Sequence, residues 1–417
     1  MAQEEAILSQ LCGLEGTNFE IRDVKISEDL IVWEIQHKAQ AEYICPRCES
    51  KHDACFSRDW VKIWDIPWGS RRCLWKVRRA KILCHCGLNP VVEKMAFRSK
   101  HHRLTQRFVN HVESVLCSKM FTVADVSRLF YLDYGIVYKI DHDVLLRLWQ
   151  TVKLPQPINI AVDEKSFKKS HQYVTIVTDI DRKLVIWVSP GNRKESLDQF
   201  FEILGPESCE KIKTVSKDMH LPYIQSCQQY IPQAMEVADP FHVVQRLNKA
   251  IDDCRQNASL GSALQTGKRK IIFNLQWLLR RKNEHLGKQG RLSIAELARA
   301  NESLYHCYLL KESFYELYAF RSDQIQEARE FIKDWYEDAI RAPLEGLQLF
   351  ANYVKNHQER ILNSIKTGLS SAIAEGINNK ISVIKRMAYG YRNLQYFMLK
   401  ILQRCGILGY PSISSTN

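Results

Sequence analysis

Two carboxylates that are far apart in the chain have the local settings that metal-dependent phosphoryl transfer requires. Asp163 follows a short apolar run, residues 158–162, that predicts a buried strand. Glu375 lies in a helical segment, residues 374–380, where two amides and a lysine follow it closely. Two divalent cations need oxygen ligands from several directions, and they clamp the attacking and leaving oxygens of a phosphodiester. The two acids therefore predict a site for Mg²⁺ or Mn²⁺.

Two further aspartates are predicted at the ends of strands. Asp218 follows the short strand predicted at residues 213–216, and Asp239 follows the strand predicted at residues 234–238. Ligands collect at the carboxyl ends of strands in α/β sheets, and we expect Asp163 to end its strand as well. One strand-end carboxylate is often only a helix cap. Three in one unit, together with the distant Glu375, favour a shared metal site.

Clustered cysteines near the N-terminus predict a zinc site. The two pairs are Cys45 with Cys48, in CxxC spacing, and Cys84 with Cys86, in the less typical CxC spacing. Thiolates at the two ends of a small β unit can close a tetrahedral Zn²⁺ site, whereas the alternative is four buried cysteines without a metal. The fourth ligand stays open, because three other residues could replace Cys86: His85, His52 and Cys55.

Residues 120–140 predict a helix-turn-helix. Thr122 is placed to cap the first helix, with Asp125 at the capping-box position, and a turn at residues 130–133 leads into the second helix. The apolar contacts between the helices would come from Val123, Val126, Val137 and Ile140. The second helix could lie in a major groove of DNA, although an ordinary helical hairpin has the same pattern. Its candidate DNA contacts are Tyr134, Tyr138 and Lys139.

The composition agrees with a partner that carries phosphates. The 417 residues include 59 Lys+Arg and 47 Asp+Glu, so the net charge is +12, and a hydrophobic fraction of 45% excludes a disordered basic tail. This balance favours nucleic acid, with a solvated basic surface as the alternative. The acidic N-terminus lacks the regions of a signal peptide, and no apolar run is long enough to cross a bilayer. We therefore expect a cytoplasmic protein, associated with the nucleoid when bound to DNA.

The carboxylates need a scaffold, and residues 158–239 predict one. The predicted element order is β-β-β-α-β-α-β, which makes a mixed sheet with helices on its faces. In that topology the strand before Asp218 pairs beside the strand of Asp163, which brings the two carboxylates together. Two prolines in residues 154–157 predict a linker before the sheet. Residues 243–343 are predicted to be nearly all helical and basic.

Taken together, these motifs resemble the DDE-type transposases of bacterial insertion sequences, in the ISL-three family. The resemblance covers nearly the whole chain in order, and the last two matching stretches are highly specific. The stretches are CPRC at 45–48, VDEKSF at 162–167, YVTIVTD at 173–179, SKDMHLPY at 216–223, IPQAMEVADPFHVVQRLNKAID at 231–252 and AEGINNKISVIKRMAYGYRN at 374–393. The spacing between Cys84 and Cys86 is shorter than in such relatives. This difference affects the expected geometry of the zinc site and does not affect the class of enzyme.

The resemblance implies a multidomain α+β fold. An N-terminal zinc-knuckle β unit would span residues 1–98 and the helix-turn-helix domain residues 99–153. An RNase H-like α/β catalytic core would follow, interrupted by an all-helical insertion. The first part of the core would span residues 154–251 and the insertion residues 252–345. The second part, which carries the glutamate, would span residues 346–417.

The resemblance also implies that Asp163 and Glu375 are catalytic, and it leaves two candidates for the acid between them. In a motif such as DPFH, the aspartate, here Asp239, is commonly assigned as the second catalytic acid. However, an RNase H-like core carries its second acid after the fourth strand, which favours Asp218. Asp239 and His242 then resemble the D-x-x-H element of related transposase superfamilies. We therefore predict that Asp163, Asp218 and Glu375 bind Mg²⁺, with Asp239 as the alternative second acid.

The implied function is transposition. The enzyme would bind double-stranded DNA at terminal inverted repeats, act as a homo-oligomer, cut each end and join the freed 3′-hydroxyl to target DNA without a covalent protein intermediate. Four basic residues near the glutamate could contact phosphates or simply form a solvated face: Lys380, Lys385, Arg386 and Arg392. Trp277 could stack on a flipped base, but a core position beside neighbouring leucines is favoured.

Two other classes of protein share parts of this pattern. A regulator derived from a transposase would keep the knuckle and the helix-turn-helix without chemistry, and the intact acids argue against it. A nuclease or resolvase would cut DNA without joining it. Joined products with target duplications would separate that class from a transposase.

Overall fold

The computed structural model describes residues 2–87, 90–101, 103–168, 172–261, 275–369 and 372–408. The chain forms two compact units, one of residues 1–152 with 408–417 and one of residues 153–407. Within the described residues, no helix combines the length and the apolar character needed to cross a membrane.

A five-stranded sheet is the centre of the first unit. The unit begins with α1 (Ala2–Leu11), β1 (Phe19–Ile26), β2 (Leu30–His37) and a small separate ribbon of β3 (Tyr43–Ile44) and β4 (Lys51–His52); it continues with β5 (Ser57–Trp68), β6 (Arg71–Ile82) and β7 (Val91–Val92). The sheet order is β1-β2-β6-β5, with β7 on β6, and only β2 and β6 pair in parallel among these strands. Aromatic and β-branched side chains such as Trp33, Ile63 and Trp75 fill its core, as a pleated half-buried surface favours.

Three helices complete the first unit: α2 (Gln106–Cys117), α3 (Val123–Phe130) and α4 (Tyr134–Thr151). Both bonds of the predicted capping box are present, because the Asp125 amide donates to Thr122 Oγ1 at 3.1 Å and the Thr122 amide donates to Asp125 Oδ2 at 3.0 Å. The predicted contact residues are buried in one cluster: Val123, Val126, Val137 and Ile140. The second helix has 18 residues and is longer than the sequence pattern indicated.

The second unit is built on a mixed sheet. Its first elements are β8 (Asn159–Lys168), β9 (Gln172–Asp179), β10 (Leu184–Pro190), α5 (Lys194–Leu204), α6 (Pro206–Cys209), β11 (Thr214–Lys217), α7 (Leu221–Tyr230) and β12 (Met235–Ala238). The predicted order is therefore found, with one additional short helix, α6. The strands lie in the order β10-β9-β8-β11-β12; the first three are antiparallel, and β11 pairs in parallel with both β8 and β12.

Within the described residues, helices follow the sheet, as predicted; residues 262–274 of the predicted helical region lie outside the described ranges. These helices are α8 (Pro240–Gly261), α9 (Gln276–Arg280), α10 (Lys288–Ala300), α11 (Glu302–Glu316), α12 (Ile325–Arg341), α13 (Glu345–Asn356), α14 (Gln358–Thr367), α15 (Ala372–Met387) and α16 (Leu394–Cys405). Their core includes a buried aromatic contact of Trp335 with Phe314 at 4.8 Å between ring centroids. The favoured core position of Trp277 is wrong: its side chain is 69% exposed, while Leu275 and Leu279 are buried.

A buried ionic network fixes α14 against the sheet. Lys217, at the end of β11, is fully buried and its ammonium lies 3.0 Å from the carboxylate of Glu236 on β12. Arg360 on α14 donates to the same carboxylate, and Asn363 Nδ2 donates to the Glu236 carbonyl at 2.9 Å. Breaking a buried pair on one side leaves an uncompensated charge, so this network strongly restrains the helix that precedes α15.

Candidate active site and metal centre

Three aspartates lie at the same level of three neighbouring strands. In the parallel pairings, Val162 of β8 is opposite Lys217 of β11, and Lys217 is opposite Ala238 of β12. The next residue along each strand direction is an aspartate: Asp163, Asp218 and Asp239. Adjacent strands are about 4.8 Å apart, so these residues form a row across the sheet. The predicted pairing of the Asp163 and Asp218 strands is present.

The prediction that Asp163 ends its strand is wrong. Strand β8 continues to Lys168, and Asp163 itself pairs with Ile176 of β9. Only the parallel pairing with β11 stops at Val162. Asp163 is therefore held in extended backbone by β9 on one side, while its other side is open toward the aspartates that follow β11 and β12. A carboxylate fixed in this way has little freedom to move when charge in the site changes.

His242, in the first turn of α8, contacts one of these acids. Its Nε2 lies 3.3 Å from Asp163 Oδ1. Burial lowers the pKa of His242, but the hydrogen bond to Asp163 and the charges of Asp163, Asp239 and Asp218 outweigh burial and raise it to about 9. The charges of the three carboxylates therefore favour the protonated form of the imidazole.

The pKa of Asp163 and the pKa of Asp239 are shifted in opposite directions. Burial raises the pKa of Asp163, yet hydrogen bonds from His242, Asn378 and the backbone of Glu164 bring it below its usual value. Burial also raises the pKa of Asp239, and the neighbouring acids add to this rise, which leaves it above its usual value. Asp239 Oδ1 accepts the Phe241 amide at 2.9 Å, so this carboxylate also caps the start of α8.

Asp218 is more accessible than its two neighbours. Its side chain retains 27% exposure, against 14% for Asp163, and it is paired with Arg246 at 3.4 Å. Arg246 lies one turn after His242 on α8, and its guanidinium stacks over the Tyr353 ring at 4.9 Å. The sequence reasoning missed Arg246. Its i,i+4 spacing from His242 on a helix that begins at a site acid was the available signal.

Helix α15 carries Glu375 and contacts the strand of Asp163. Asn378 Nδ2 donates a hydrogen bond to Asp163 Oδ2, and Lys385 Nζ donates to the Ser166 carbonyl at 3.0 Å. Glu375 lies one turn before Asn378, on the same side of the helix, and its side chain is exposed. Asn378 was noted in the sequence only as a neighbour of Glu375, although the spacing of three residues could have identified it as a contact.

The basic residues after Glu375 differ in their environments. Lys385 is half-buried because its ammonium binds the Ser166 carbonyl. Lys380, Arg386 and Arg392 are exposed. In the first unit, Tyr134 and Lys139 are exposed on α4, while Tyr138 is half-buried and stacks on His142 at 5.9 Å between ring centroids. The DNA contacts predicted at these positions stay predictions.

The four predicted zinc ligands converge at the ribbon of β3 and β4. The sulfur atoms of Cys45, Cys48, Cys84 and Cys86 all lie within 4.8 Å of one another. Cys45 Sγ is 3.6 Å from Cys86 Sγ, and Cys48 Sγ is 3.4 Å from Cys84 Sγ. Zn–S bonds of about 2.3 Å in a tetrahedron place sulfurs roughly 3.8 Å apart, so the cluster fits a zinc knuckle.

Ser50 supports the thiolate forms in this cluster. Its hydroxyl lies 3.0 Å from Cys48 Sγ and 3.4 Å from Cys84 Sγ, and it lowers the pKa of both thiols, that of Cys84 to about 5. The neighbouring sulfurs raise the pKa of Cys86 to about 12. When four thiols lie this close together, their thiolate forms repel one another. A cation such as Zn²⁺ relieves that repulsion when the four sulfur atoms bind it. His52, an alternative ligand, has its Nε2 3.1 Å from the Ser50 hydroxyl.

Within the described ranges, the cysteine cluster is the group of three or more His, Cys, Asp or Glu residues whose ligand atoms lie this close together. The aspartate row is wider. Its members share one level of the sheet, and His242 contacts one of them, Asp163.

Comparison with known proteins agrees with this arrangement. A family model described as "Transposase" matches residues 160–401, which include the aspartate row and α15. The transposase for insertion sequence element IS1001 of Bordetella parapertussis is 34% identical over 361 residues, which cover 85% of this chain and 86% of the relative. The transposase for insertion sequence element IS1557 of Mycobacterium tuberculosis is 25% identical over 406 residues, which cover 90% of each chain. The resemblance found in the sequence is thereby confirmed, and the chain belongs to the ISL3 (ISL-three) family of DDE-type transposases.

Proposed function

We propose that this protein binds the terminal inverted repeats of an insertion sequence and catalyses metal-dependent DNA cleavage and strand transfer. One observation carries the proposal. Asp163, Asp218 and Asp239 share one level of adjacent strands, and α15 brings Asn378, one turn after Glu375, into contact with Asp163. A row of acids on three strands, with the helix that carries Glu375 in contact with one of them, supports a shared site of the kind that two-metal phosphoryl transfer requires.

The sheet supports an RNase H-like catalytic core. Three antiparallel strands are followed by two parallel ones, and the first strand of the unit lies at the centre, between β9 and β11. Strand β11 is the fourth strand of this sheet along the chain, and Asp218 follows it directly. The proposed core comprises residues 154–251 and 346–417, and residues 252–345 are the helical insertion between them.

Asp218 is the better candidate for the second catalytic acid. It is accessible, and its ion pair with Arg246 is partly exposed, so a metal ion could replace this cation. Asp239 is 7% exposed, and one of its oxygens accepts the Phe241 amide as the cap of α8. A carboxylate with a structural hydrogen bond and a raised pKa is less suited to bind two ions. Asp239 and His242 would then orient Asp163 and the start of α8.

Asp163, Asp218 and Glu375 would hold Mg²⁺ or Mn²⁺. When bound, the ions supply an activated water and stabilise the charge that develops on the phosphodiester oxygens. The residues of the chain have their own tasks. His242 holds a proton at Nε2 against Asp163, Asn378 fixes the orientation of that carboxylate, and Arg246 offers a positive charge near Asp218 that can bind a DNA phosphate.

The first unit would recognise the DNA. In this proposal, Zn²⁺ bound by Cys45, Cys48, Cys84 and Cys86 stabilises residues 1–98. Residues 99–153 present Tyr134, Tyr138 and Lys139 of α4 to the terminal repeat. Phosphate contacts by Lys380, Arg386 and Arg392 would hold the same DNA near the acids. Two ends cut together require two protomers, so we expect a homo-oligomer in the complex with DNA.

The test is cleavage and strand transfer on DNA that carries the element's own ends, with Mg²⁺ or Mn²⁺. We expect nicks at the ends and joined products with target duplications. Cleavage without joining would identify a nuclease or resolvase. Specific binding of the ends without any cleavage would identify a regulator derived from a transposase, and either result would replace the proposal.

A further inference from the structure

Helix α15 ends in a strained and exposed tyrosine. Tyr389 has a φ of 51° and Gly390 a φ of 94°, and their amides donate to the carbonyls of Arg386 and Lys385, each at 3.0 Å, to close the helix. A position of this kind is usually taken by glycine, because a side chain there is strained. The Tyr389 side chain is fully exposed, with a relative exposure of 102%. The chain therefore places an aromatic ring in solvent where glycine would be more stable.

The tyrosine two residues later is packed against other aromatic rings, unlike Tyr389. Tyr391 is half-buried, and its ring lies 5.0 Å from Phe397 and 5.7 Å from Tyr396 of α16. Phe397 in turn lies 5.4 Å from Phe167 of β8. Tyr391 thus joins the end of α15 to the sheet through aromatic packing. Packing in the folded chain accounts for Tyr391 and does not account for Tyr389.

The sequence that contains Tyr389 has charges of one sign. From Gly376 to Asn417 the sequence contains no Asp or Glu and six Lys or Arg. Arg386 and Arg392, on either side of Tyr389, are exposed. An exposed ring between cations matches a polyanion with flat bases, because phosphates pair with the cations and a base stacks on the ring. A second protein surface would need carboxylates at the same spacing.

We propose that Tyr389 stacks on a nucleobase of the DNA that the site cuts. This inference rests on the proposed function and names a contact of the same site. Asn378 contacts Asp163, and Met387 follows it by nine residue steps along the helix, which is roughly 14 Å at 1.5 Å per residue. At 3.4 Å per nucleotide, the ring reaches a base about four or five positions from the cleaved bond. Stacking there holds the strand in register with the acids.

Binding and stacking are measured with the full chain on an Asp163→Ala background, so that no cleavage occurs. The probe is a duplex of the element's end with 2-aminopurine placed singly at each of the first eight positions. We expect bound fluorescence to be quenched at one position near the fourth or fifth. Tyr389→Ala should restore that fluorescence and weaken binding by about 5- to 150-fold, whereas Tyr389→Phe should keep both.

Two further variants separate stacking from folding. Tyr389→Gly relieves the positive φ, so its unfolding temperature should equal or exceed that of the parent chain while DNA binding falls as in Tyr389→Ala. Leu349→Ala, which removes another exposed apolar side chain of the same unit, should change neither property. The inference is overturned if Tyr389→Ala and Tyr389→Gly bind the ends normally, or if they alter the oligomeric state without DNA and leave DNA binding intact.

The proposed function and this inference fail in different ways. If the unmutated chain neither cuts nor binds the element's ends, the proposed function is wrong. If it cuts them, and Tyr389→Ala cuts them equally well with unchanged affinity and fluorescence, only the stacking contact is wrong.

Discussion

Asn378 donates its side-chain amide to the carboxylate of Asp163, across 215 residues of sequence. This bond orients the acid without adding charge. We predict that Asn378→Ala lowers the cleavage rate by about 10- to 100-fold, as the loss of a group that orients a metal ligand does. Asn378→Asp should cost more, since a second anion would raise the pKa of Asp163. Single-turnover cleavage assays measure this, with exposed Asn379→Ala as the control. Equal rates for the Asn378 and Asn379 variants would contradict the role.

Removal of a metal ligand should separate chemistry from DNA binding. We predict that Asp163→Ala and Glu375→Ala abolish cleavage and leave binding of the terminal repeats within a few-fold of normal, because the proposed DNA contacts of α4 lie in the other compact unit and are unchanged. Gel-shift and cleavage assays on the same DNA measure both. Glu327→Ala, which changes an exposed acid of α12, should be fully active. Normal cleavage by either site variant would refute the assignment.

The second acid can be decided by comparing two neighbours. We predict that Asp218→Ala is inactive with every divalent metal tested. Asp239→Ala should retain cleavage reduced by about 10- to 100-fold, since it would disturb the start of α8 and leave the metal ligands in place. Cleavage assays with Mg²⁺ and Mn²⁺ provide the comparison. An active Asp218→Ala together with an inactive Asp239→Ala would transfer the role to Asp239.

His242 should make stability depend on pH. Its pKa is raised from 6.5 to about 9 in the folded protein, so the folded state binds the proton more tightly than the unfolded state. The resulting stabilisation is fully present below pH 6.5 and is lost as pH rises through 9. We predict that the free energy of unfolding of the parent chain exceeds that of His242→Gln by roughly 1–3 kcal/mol at pH 6.5, and that the difference disappears near pH 10. Denaturant titrations without Mg²⁺ measure it, and a difference independent of pH would contradict the ionised pair.

The cysteine cluster should bind one zinc ion per chain. We predict that Cys45→Ser with Cys48→Ser removes the metal and weakens binding of the terminal repeats, because structural zinc contributes directly to folding. Metal analysis of the purified full chain tests this. Cys55→Ser is the matched control, since Cys55 lies outside the four-sulfur group. Zinc loss in the Cys55 variant would make Cys55 a ligand in place of one of the four, and no zinc in the parent chain would remove the knuckle.

Local patterns predicted the sheet and the position of its acids well. Apolar runs before Asp163, Asp218 and Asp239 defined strands, and parallel pairing then forced the three residues to one level. The capping box of α3 was equally local, because Thr122 and Asp125 are three residues apart. Such features depend on residues that are close in sequence or on a topology with few alternatives.

The features that the sequence did not predict depend on packing between elements that are distant in sequence. Strand β8 passes through Asp163 because β9 pairs with its mostly polar second half, in which Phe167 is the one apolar residue. Trp277 is a large apolar residue beside leucines, which predicted a core position, yet its side chain is exposed to solvent. The Asn378–Asp163 and Arg246–Asp218 contacts join elements distant in sequence; helical spacing relates Asn378 to Glu375 and Arg246 to His242, but it does not identify the aspartates that they contact.

The distance in sequence between the aspartate row and α15 has a consequence for newly made protein. During synthesis the strands with all three aspartates leave the ribosome first, and domains generally fold as they emerge. Residue 375 and the tyrosines that fasten α15 follow more than 130 residues after Asp239. Under the proposed assignment, an unfinished or truncated chain that lacks α15 would bind DNA through its first unit but would not cut it. Premature termination would then convert the enzyme into a competitor of its own full-length product.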